Sequence, residues 1–211
     1  MRSSTRPRVR RTSSERRIVD ATLALLRDDA RLPDLSVEQI LTAAEVSRST
    51  FYSYFADKNE LVMRLAEPLV DAYTALADTW WGRDQQAGTT PTWHALAELN
   101  EEFIAVARTH REVFVALTSF DGTAATGPGP LRAITDEYTQ RMASRLDRER
   151  AEGLVSADVI PDVTARFIVT ATFAAIRDHL DRDEATNDVA LARTLGHAFW
   201  FAMYGGPPTT L

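Results

Sequence analysis

The chain contains no cysteine and a single lysine, Lys58, among its 24 basic residues. Without thiols it has no disulfide framework, no thiolate nucleophile and no cysteine-based zinc site, a composition that fits a reducing cytoplasm. Long apolar runs are missing too. The stretch 167–176 is bounded by arginines and is far shorter than the roughly 20 residues of a membrane-spanning helix. The arginine-rich start lacks the apolar core of a secretory signal. We therefore expect a soluble, cytoplasmic protein.

Catalytic signatures are also absent. The sequence has no G-x-S-x-G, H-E-x-x-H or Walker motif, and prolines interrupt the segment 127–130, where a phosphate cradle needs backbone N–H donors. The four histidines are scattered. His179 lies among carboxylates in residues 177–184, but such a charge run is more typical of a solvated helix end than of a metal site. We predict no enzyme activity, no catalytic residues, no metal site and no cofactor.

The charge of the chain is unevenly distributed. The net charge is −6, yet residues 1–60 hold eleven basic and nine acidic residues, whereas residues 61–211 hold 13 and 21. Seven arginines precede residue 18, where Glu15 is the only acidic residue. A basic end on an acidic body is expected when that end meets a polyanion. The alternative is a disordered, solubilising tail.

Apolar residues recur with the 3.6-residue period of α-helices, and no run alternates with the period of a β-strand. The sequence therefore predicts an all-α fold. Pro33 ends the first helix because it disfavours helical backbone at Leu32. The predicted helices begin near residue 13 and, after the break at 31–34, near 36, 47 and 57, and five more cover about 93–109, 111–120, 131–151, 162–181 and 187–204.

Three predicted helices near the N-terminus begin with capping residues. Ser36 has Gln39 at the third helical position, which is a capping box, and Asp57 has Glu60 in the same relation. Ser47 caps the short helix between them. Two helices of about eight residues joined by a tight link make a helix-turn-helix, and helices this short are stable only when packed.

The second of these short helices separates two kinds of side chain. Val46, Phe51 and Phe55 fall at spacings that face inward, which leaves Arg48 and Tyr52 outward. A helix N-terminus that carries arginine and hydroxyls suits the DNA major groove, because its N–H groups favour phosphate and arginine can bind guanine. We predict DNA contacts by Ser36, Ser47, Arg48, Ser49, Thr50, Tyr52, Tyr54 and Lys58.

Residues 18–65 resemble the DNA-binding domain of TetR-type transcriptional regulators. The match is closest in "VSRSTFYSYFADKNEL", residues 46–61, which covers the turn, the recognition helix and the following cap. The resemblance implies an all-helical homodimer with a helix-turn-helix DNA-binding domain, which we place at 13–60, and a ligand-binding and dimerisation domain, which we place at 61–211. The arginine-rich residues 1–12 are predicted to be a disordered basic arm. One departure is Glu45, which stands in the turn where this family commonly has glycine and where a left-handed backbone would favour it.

The C-terminal half carries candidates for an effector pocket. The segment "TLGHAFWFAMYG", residues 194–205, is similar to the end of the mycobacterial ethionamide-resistance repressor, a TetR-type member with a hydrophobic tunnel; His197, Phe199, Tyr204 and Gly205 carry that likeness. Aromatic residues on the middle helices predict an apolar cavity for a small hydrophobic or aromatic effector. The alternative is that they simply fill the core. The predicted ligand contacts are Trp93, Phe103, Phe114, Tyr138, Phe173 and Phe199.

Dimerisation is predicted through the last two helices, where small residues let helices approach closely and Phe199 and Met203 add apolar area. Those small residues are Ala171, Ala174, Ala175, Ala192, Gly196 and Ala198. The alternative is packing within one subunit. The long helix that starts at residue 57 is expected to join the two halves, with Tyr73, Leu76 and Trp80 against the pocket.

Together these features predict a sequence-specific regulator of transcription, a repressor of operator DNA that a small hydrophobic effector releases. A second hypothesis is a helical protein that binds small molecules and whose helix-turn-helix has lost its affinity for DNA. Glu45 and the acidic net charge favour that second hypothesis.

Overall fold

A computed structural model describes residues 13–28, 32–84, 91–119, 130–182 and 185–205. Their regular secondary structure is helical, which confirms the predicted all-α class. The predicted basic arm, residues 1–12, and Phe120 lie outside the described residues. The helices are α1 Ser13–Arg27, α2 Val37–Ala44, α3 Arg48–Tyr54, α4 Lys58–Asp84, α5 Trp93–Thr109, α6 Arg111–Ser119, α7 Pro130–Ala151, α8 Pro161–Asp181 and α9 Asp188–Tyr204, with one 3₁₀ turn at Ala185–Asn187.

Helices α1 to α3 pack around a small apolar centre. Ile18 of α1, Ile40 of α2 and Phe51 of α3 are fully buried, as is Phe55 just after α3. The rings of Phe51 and Phe55 have centroids 5.4 Å apart. Because α2 and α3 are only eight and seven residues long, this shared burial supplies stability that their own hydrogen bonds do not.

Helix α4 joins the two halves of the molecule. It continues through Pro68, and Leu61, Leu65 and Leu69 are buried along one side of it. The apolar cluster that contains Ile18 extends along α4 and reaches Ile176 of α8. The predicted boundary between residues 60 and 61 thus falls inside a helix, and the division into domains stays a prediction.

The C-terminal half is organised by two long helix pairs, α5 with α9 and α7 with α8. Gly196 marks the tightest point: a Cβ atom there would lie 2.5 Å from the backbone nitrogen of Ala97. Trp200 Nε1 donates to Pro91 O at 2.8 Å, which fixes the end of α9 to the start of α5. Backbone contact this close is possible only because position 196 lacks a side chain.

The small residues of the last two helices have different roles. Ala192 and Gly196 are buried, so they serve the packing of α9 within the chain, which was the alternative to dimer contacts. Ala174 and Ala198 are exposed, and so are Val163, Phe167 and Phe201. Among the described helices, none combines the length and apolar character needed to cross a bilayer.

Candidate nucleic-acid interface and apolar cavity

The predicted caps fix where α2 and α3 begin. Ser36 Oγ accepts from Gln39 N at 3.2 Å, and Gln39 Oε1 accepts from Ser36 N at 2.8 Å, which is the predicted capping box. Ser47 Oγ accepts from Thr50 N at 3.1 Å. Glu60 N donates to Asp57 Oδ1 at 2.9 Å at the start of α4. These local bonds satisfy backbone N–H groups at the starts of the three helices.

Hydroxyl groups cluster at the N-terminus of α3. Ser47 Oγ lies 2.9 Å from Ser49 Oγ and 2.8 Å from Thr50 Oγ1. Ser36, Ser47 and Ser49 are exposed, and Thr50 is half-buried. The hydroxyls therefore hold one another at the place where the sequence predicts phosphate contacts.

Arg48 is the exposed cation of this surface. Its Nη1 bonds to Glu38 Oε1 at 2.8 Å, and its Cζ lies 5.7 Å from the centroid of the Tyr52 ring. Glu38 belongs to α2, so the ion pair spans the two helices of the helix-turn-helix. Glu38 was not among the predicted site residues; the signal for it was its exposed position in the first turn of α2, on the side that faces α3. The guanidinium is thereby held away from the core, on the surface predicted to meet DNA.

The turn between α2 and α3 contains the strained residue. Glu45 has φ 49° and ψ 47°, the left-handed conformation that the sequence suggested. Val46 N donates to Leu41 O at 3.1 Å, which closes the helix end. Arg17 of α1 donates from Nη2 both to Glu45 O at 2.9 Å and to Glu45 Oε2 at 3.2 Å. The bonds from Arg17 thus stabilise a backbone conformation that is unfavourable for a glutamate.

Lys58 lies in a different place from the other predicted contacts. Its ammonium donates to the carbonyls of Leu32, Pro33 and Leu35 at 2.7, 3.1 and 2.9 Å. Burial lowers the pKa of Lys58, and nearby Asp34 opposes that shift. The structure therefore uses Lys58 to tie α4 to the loop between α1 and α2, whereas the sequence predicted a point charge for phosphate. Tyr54 is half-buried against the same core.

A cavity lies between α4, α5, α7, α8 and α9. Its volume is about 80 Å³. Its lining is formed by Tyr73, Ala77, Leu96, Leu99, Asn100, Phe103, Tyr138, Met142, Ile168, Val169, Thr172, Phe173, Ile176, Phe199 and Met203.

The predicted ligand contacts divide into three groups. Four of the six line the cavity: Phe103, Tyr138, Phe173 and Phe199. Phe114 lies behind the wall, fully buried and stacked on Phe173 with centroids 5.8 Å apart. Trp93 lies elsewhere, stacked on His94 at 3.6 Å and edge-on to His197. Large aromatic residues near helix ends were therefore a weaker signal than those in the middle of helices.

Two polar residues of the cavity were not predicted. Asn100 and Thr172 line it, and so does Tyr73, which the sequence did place against the pocket. The signal for Asn100 was a buried amide on the inward stripe of α5 that also contains Leu96 and Ile104. The side chain of Trp80 lies outside the described part of the structure.

The hydroxyl groups of the cavity are already engaged. Tyr73 Oη donates to Phe103 O at 3.1 Å, and Thr172 Oγ1 donates to Ile168 O at 2.8 Å. Tyr138 Oη and Thr74 Oγ1 are 3.1 Å apart. Burial is the main cause that raises the pKa of both Tyr73 and Tyr138. The cavity is thus an environment in which charge is unfavourable.

A second polar cluster connects three helices outside the cavity. Arg108 of α5 binds Asp188 with two bonds of 2.6 Å, and His179 Nε2 lies 2.6 Å from Asp188 Oδ1. The Arg108 hydrogen bond holds the pKa of Asp188 below its usual value. No group of three metal-ligating side chains occurs among the residues that the structure describes.

Residues 18–65 match the family model of bacterial regulatory proteins of the tetR family. The matched segment contains the helix-turn-helix and the first turns of α4. A search of curated proteins gives no significant match to the chain.

Solved structures resemble the chain over almost its whole length. A TetR-family transcriptional regulator from Syntrophomonas wolfei has a TM-score of 0.69 at 14% identity, over 94% of this chain and 98% of that one. NalD, a repressor of the MexAB-OprM multidrug efflux pump in Pseudomonas aeruginosa, has 0.69 at 17%, over 90% and 96%. FadR from Bacillus subtilis, solved with stearoyl-CoA, has 0.61 at 14%, over 89% and 98%. At these identities the likeness establishes the fold of TetR-type regulators.

Proposed function

We propose that this chain is a cytoplasmic TetR-family repressor that binds operator DNA as a homodimer and is released by a small hydrophobic effector. The observation that carries the proposal is the outward surface of α3, with Arg48 exposed at a capped N-terminus inside the segment that matches the tetR family model. A helix presented in this way fits the major groove.

Contacts to DNA are assigned by position. Arg48 is the candidate for base recognition, because a guanidinium can bind guanine O6 and N7 together. Tyr52, which is 45% exposed, and the serines at the start of α3 are candidates for phosphate contacts. The arginines of residues 1–12 would add electrostatic attraction that weakens with salt.

The cavity is the candidate effector site. Its aromatic and aliphatic lining suits an apolar molecule. The complex of FadR from Bacillus subtilis with stearoyl-CoA is a case of ligand binding on this fold. The resemblance of residues 194–205 to the ethionamide-resistance repressor favours the same location, since Phe199 of that segment lines the cavity.

Helix α4 is the proposed link between effector and DNA. Lys58 ties its first turn to the loop before α2, and Tyr73 lines the cavity four turns later. A ligand that prefers one tilt of α4 would change the separation of the two α3 helices in the dimer, and that separation must match half-sites about 34–36 Å apart. Coupling is reciprocal, so DNA would weaken effector binding by the same factor, typically about 5–150-fold.

The dimer is proposed to form through α8 and α9. Val163, Phe167 and Phe201 are each more than half exposed in the single chain. Apolar side chains of this size on two adjacent helices are expected at a two-fold interface.

A helical binding protein without DNA affinity is the second candidate. It is favoured by the carboxylates of Glu38 and Glu45, which are 64% and 85% exposed on the helix-turn-helix. Each carboxylate is paired with an arginine. A DNA phosphate would therefore have to displace the carboxylate from that arginine or bind beside it.

A gel-shift with the DNA upstream of the protein's own gene separates the two candidates. We expect binding that weakens with salt and that Arg48→Ala reduces, while Thr109→Ala, an exposed change at the end of α5, leaves it unaltered. Absence of specific binding by the intact, folded dimer would support the second candidate instead. Addition of an apolar compound that raises the melting temperature then tests release.

A further inference from the structure

We propose that the cavity selects neutral ligands that are mostly hydrocarbon and carry one polar group with a hydrogen to donate, such as a hydroxyl or a carboxamide, which binds Asn100. This inference rests on the proposed function only in taking the cavity as the effector site. It narrows the ligand from any apolar molecule to one charge state and one kind of polar group.

The lining excludes ions. None of its fifteen residues is aspartate, glutamate, lysine, arginine or histidine. An ionised group moved from water into such a site loses its hydration and gains no opposite charge in return, which is far more costly than burying a neutral polar group. The raised pKa values of Tyr73 and Tyr138 reflect the same environment, since burial disfavours their charged forms.

The hydroxyl groups leave mainly acceptors for a ligand. Tyr73 and Thr172 use their hydrogens on the carbonyls of Phe103 and Ile168. Each oxygen therefore has lone pairs to offer and no hydrogen. A ligand that brings only acceptors, such as an ether or ketone, finds no partner at these two groups.

Asn100 is the polar group best placed to bind the ligand. It is 4% exposed, and it lines the cavity. Its Nδ2 donates to Leu96 O at 2.7 Å. Because a backbone carbonyl only accepts, this bond fixes which way the amide points and directs Oδ1 away from Leu96. Oδ1 can then accept a hydrogen bond from a ligand, and the second N–H hydrogen can return one, so a hydroxyl or carboxamide makes both bonds whereas an ether makes only the second.

The cavity favours compact probes. The cavity volume is about 80 Å³. One water molecule requires roughly 10–15 Å³ on the same measure, so the cavity is several times larger. We therefore choose ligands built on one cyclohexane ring, too short to leave a charged end in solvent.

The experiment measures four probes on the full-length protein in the absence of DNA, by calorimetry or by displacement of an apolar fluorescent dye. The probes are cyclohexylmethanol, its isomer methoxycyclohexane, cyclohexanecarboxylate and cyclohexylmethylammonium. We expect the alcohol to bind about 2- to 12-fold more tightly than the ether, the range for one neutral hydrogen bond. Both ions should bind about 10-fold more weakly than the alcohol, or worse.

Two variants assign the preference to Asn100. Asn100→Leu keeps the number and branching of the side-chain heavy atoms but should make the alcohol and the ether bind alike. Met142→Leu, a change in the same lining that removes no hydrogen-bonding group, should shift both affinities together and keep their ratio. If Asn100→Leu does not fold, the four probes on the unaltered protein still decide the proposal.

Three results would overturn it: ions that bind as tightly as the alcohol, an ether equal to the alcohol, or no binding by any probe. A preference that survives Asn100→Leu would overturn the assignment to that residue. A probe that binds as expected but leaves operator binding unchanged would instead count against the proposed function, so the two failures are distinguishable.

Discussion

The helix-turn-helix and the apolar cavity are built by different means. The former depends on short-range bonds: Ser36 with Gln39, Ser47 with Thr50 and Asp57 with Glu60 lie three residues apart. The cavity depends on five helices whose lining residues extend from Tyr73 to Met203. A surface specified locally can be recognised in a short segment, whereas a space between distant helices cannot.

This difference also separates what each region tolerates. The outward residues of α3, which are proposed to contact DNA, can be substituted with little effect on packing, because Phe51 and Phe55 carry the packing. In the cavity, the residues that would contact a ligand also pack the surrounding helices. Substitutions should therefore split recognition from stability in the N-terminal region and change both together in the C-terminal one.

The largest effect is expected from Gly196→Ala. Alanine has the better helix propensity by about 1 kcal/mol, yet its Cβ would lie 2.5 Å from Ala97 N. Overpacking of this kind costs about 1–3 kcal/mol, and we expect a loss of about 3 kcal/mol because the neighbour is backbone. Urea unfolding measures it, with Thr109→Ala, an exposed change on α5, as the control. A stabilised variant would contradict the tight crossing of α5 and α9.

Arg48→Ala should reduce operator affinity by about 1–3 kcal/mol and relax the base preference at one position, if its guanidinium binds guanine. The free energy of unfolding should change little, because the side chain is exposed. Titrations on operator and on altered sites measure the effect. Glu38→Gln is a companion variant, because it removes the ion pair between Glu38 and Arg48. If the two variants change the affinity for nonspecific DNA by the same factor, a role of Arg48 in base recognition is contradicted.

Ser47→Ala should destabilise the protein by about 1 kcal/mol through loss of the N-cap of α3. Ser49→Ala is the matched control, since Ser49 contacts the Ser47 hydroxyl but caps nothing. Thermal unfolding of both variants measures the difference. Equal melting temperatures for the two would show that the cap is dispensable.

Asp188→Asn tests electrostatics in the C-terminal half. The Arg108 hydrogen bond lowers the pKa of Asp188 in the folded protein. The ionised carboxylate therefore stabilises the fold at pH values above the pKa of an unfolded aspartate, about 4, and this stabilisation is lost as the pH falls through the lower pKa of the folded state. We expect the variant to lose about 0.5–1 kcal/mol at pH 7, as solvent screens this partly exposed pair. The difference from the unaltered protein should vanish in strong acid; a difference that persists there would assign the effect to packing.

The smallest effect is expected at Glu45. Glu45→Gly relieves a left-handed backbone but loses the carboxylate bond to Arg17, so we expect a net change of only a few tenths of a kcal/mol. Glu45→Ala loses the carboxylate and keeps the Cβ. The free energy of unfolding should be higher for the glycine variant than for the alanine variant by up to about 1 kcal/mol, as measured by chemical unfolding. Alanine equal to glycine would mean that the positive φ carries no cost.

The sequence predicted local features well. The caps, the ends of α5 and α9 and the buried faces of Phe51 and Phe55 follow from residues within a few positions of one another. The placement of Lys58 could not be predicted, because its three carbonyl partners lie 23 to 26 residues away. Phe114 and Phe173 are both phenylalanines within helices. Only the packing of those helices against each other places Phe173 at the cavity and Phe114 behind it.

The position of Lys58 makes the chain's one lysine a natural reporter. Amine-reactive reagents attack the free base of an ε-amino group in open solvent, and the ammonium here is held by the carbonyls of Leu32, Pro33 and Leu35. Acylation of that single side chain therefore requires the loop before α2 to release it. Its labelling rate, followed by mass spectrometry, would measure how often the N-terminal helices open while the rest of the protein stays folded.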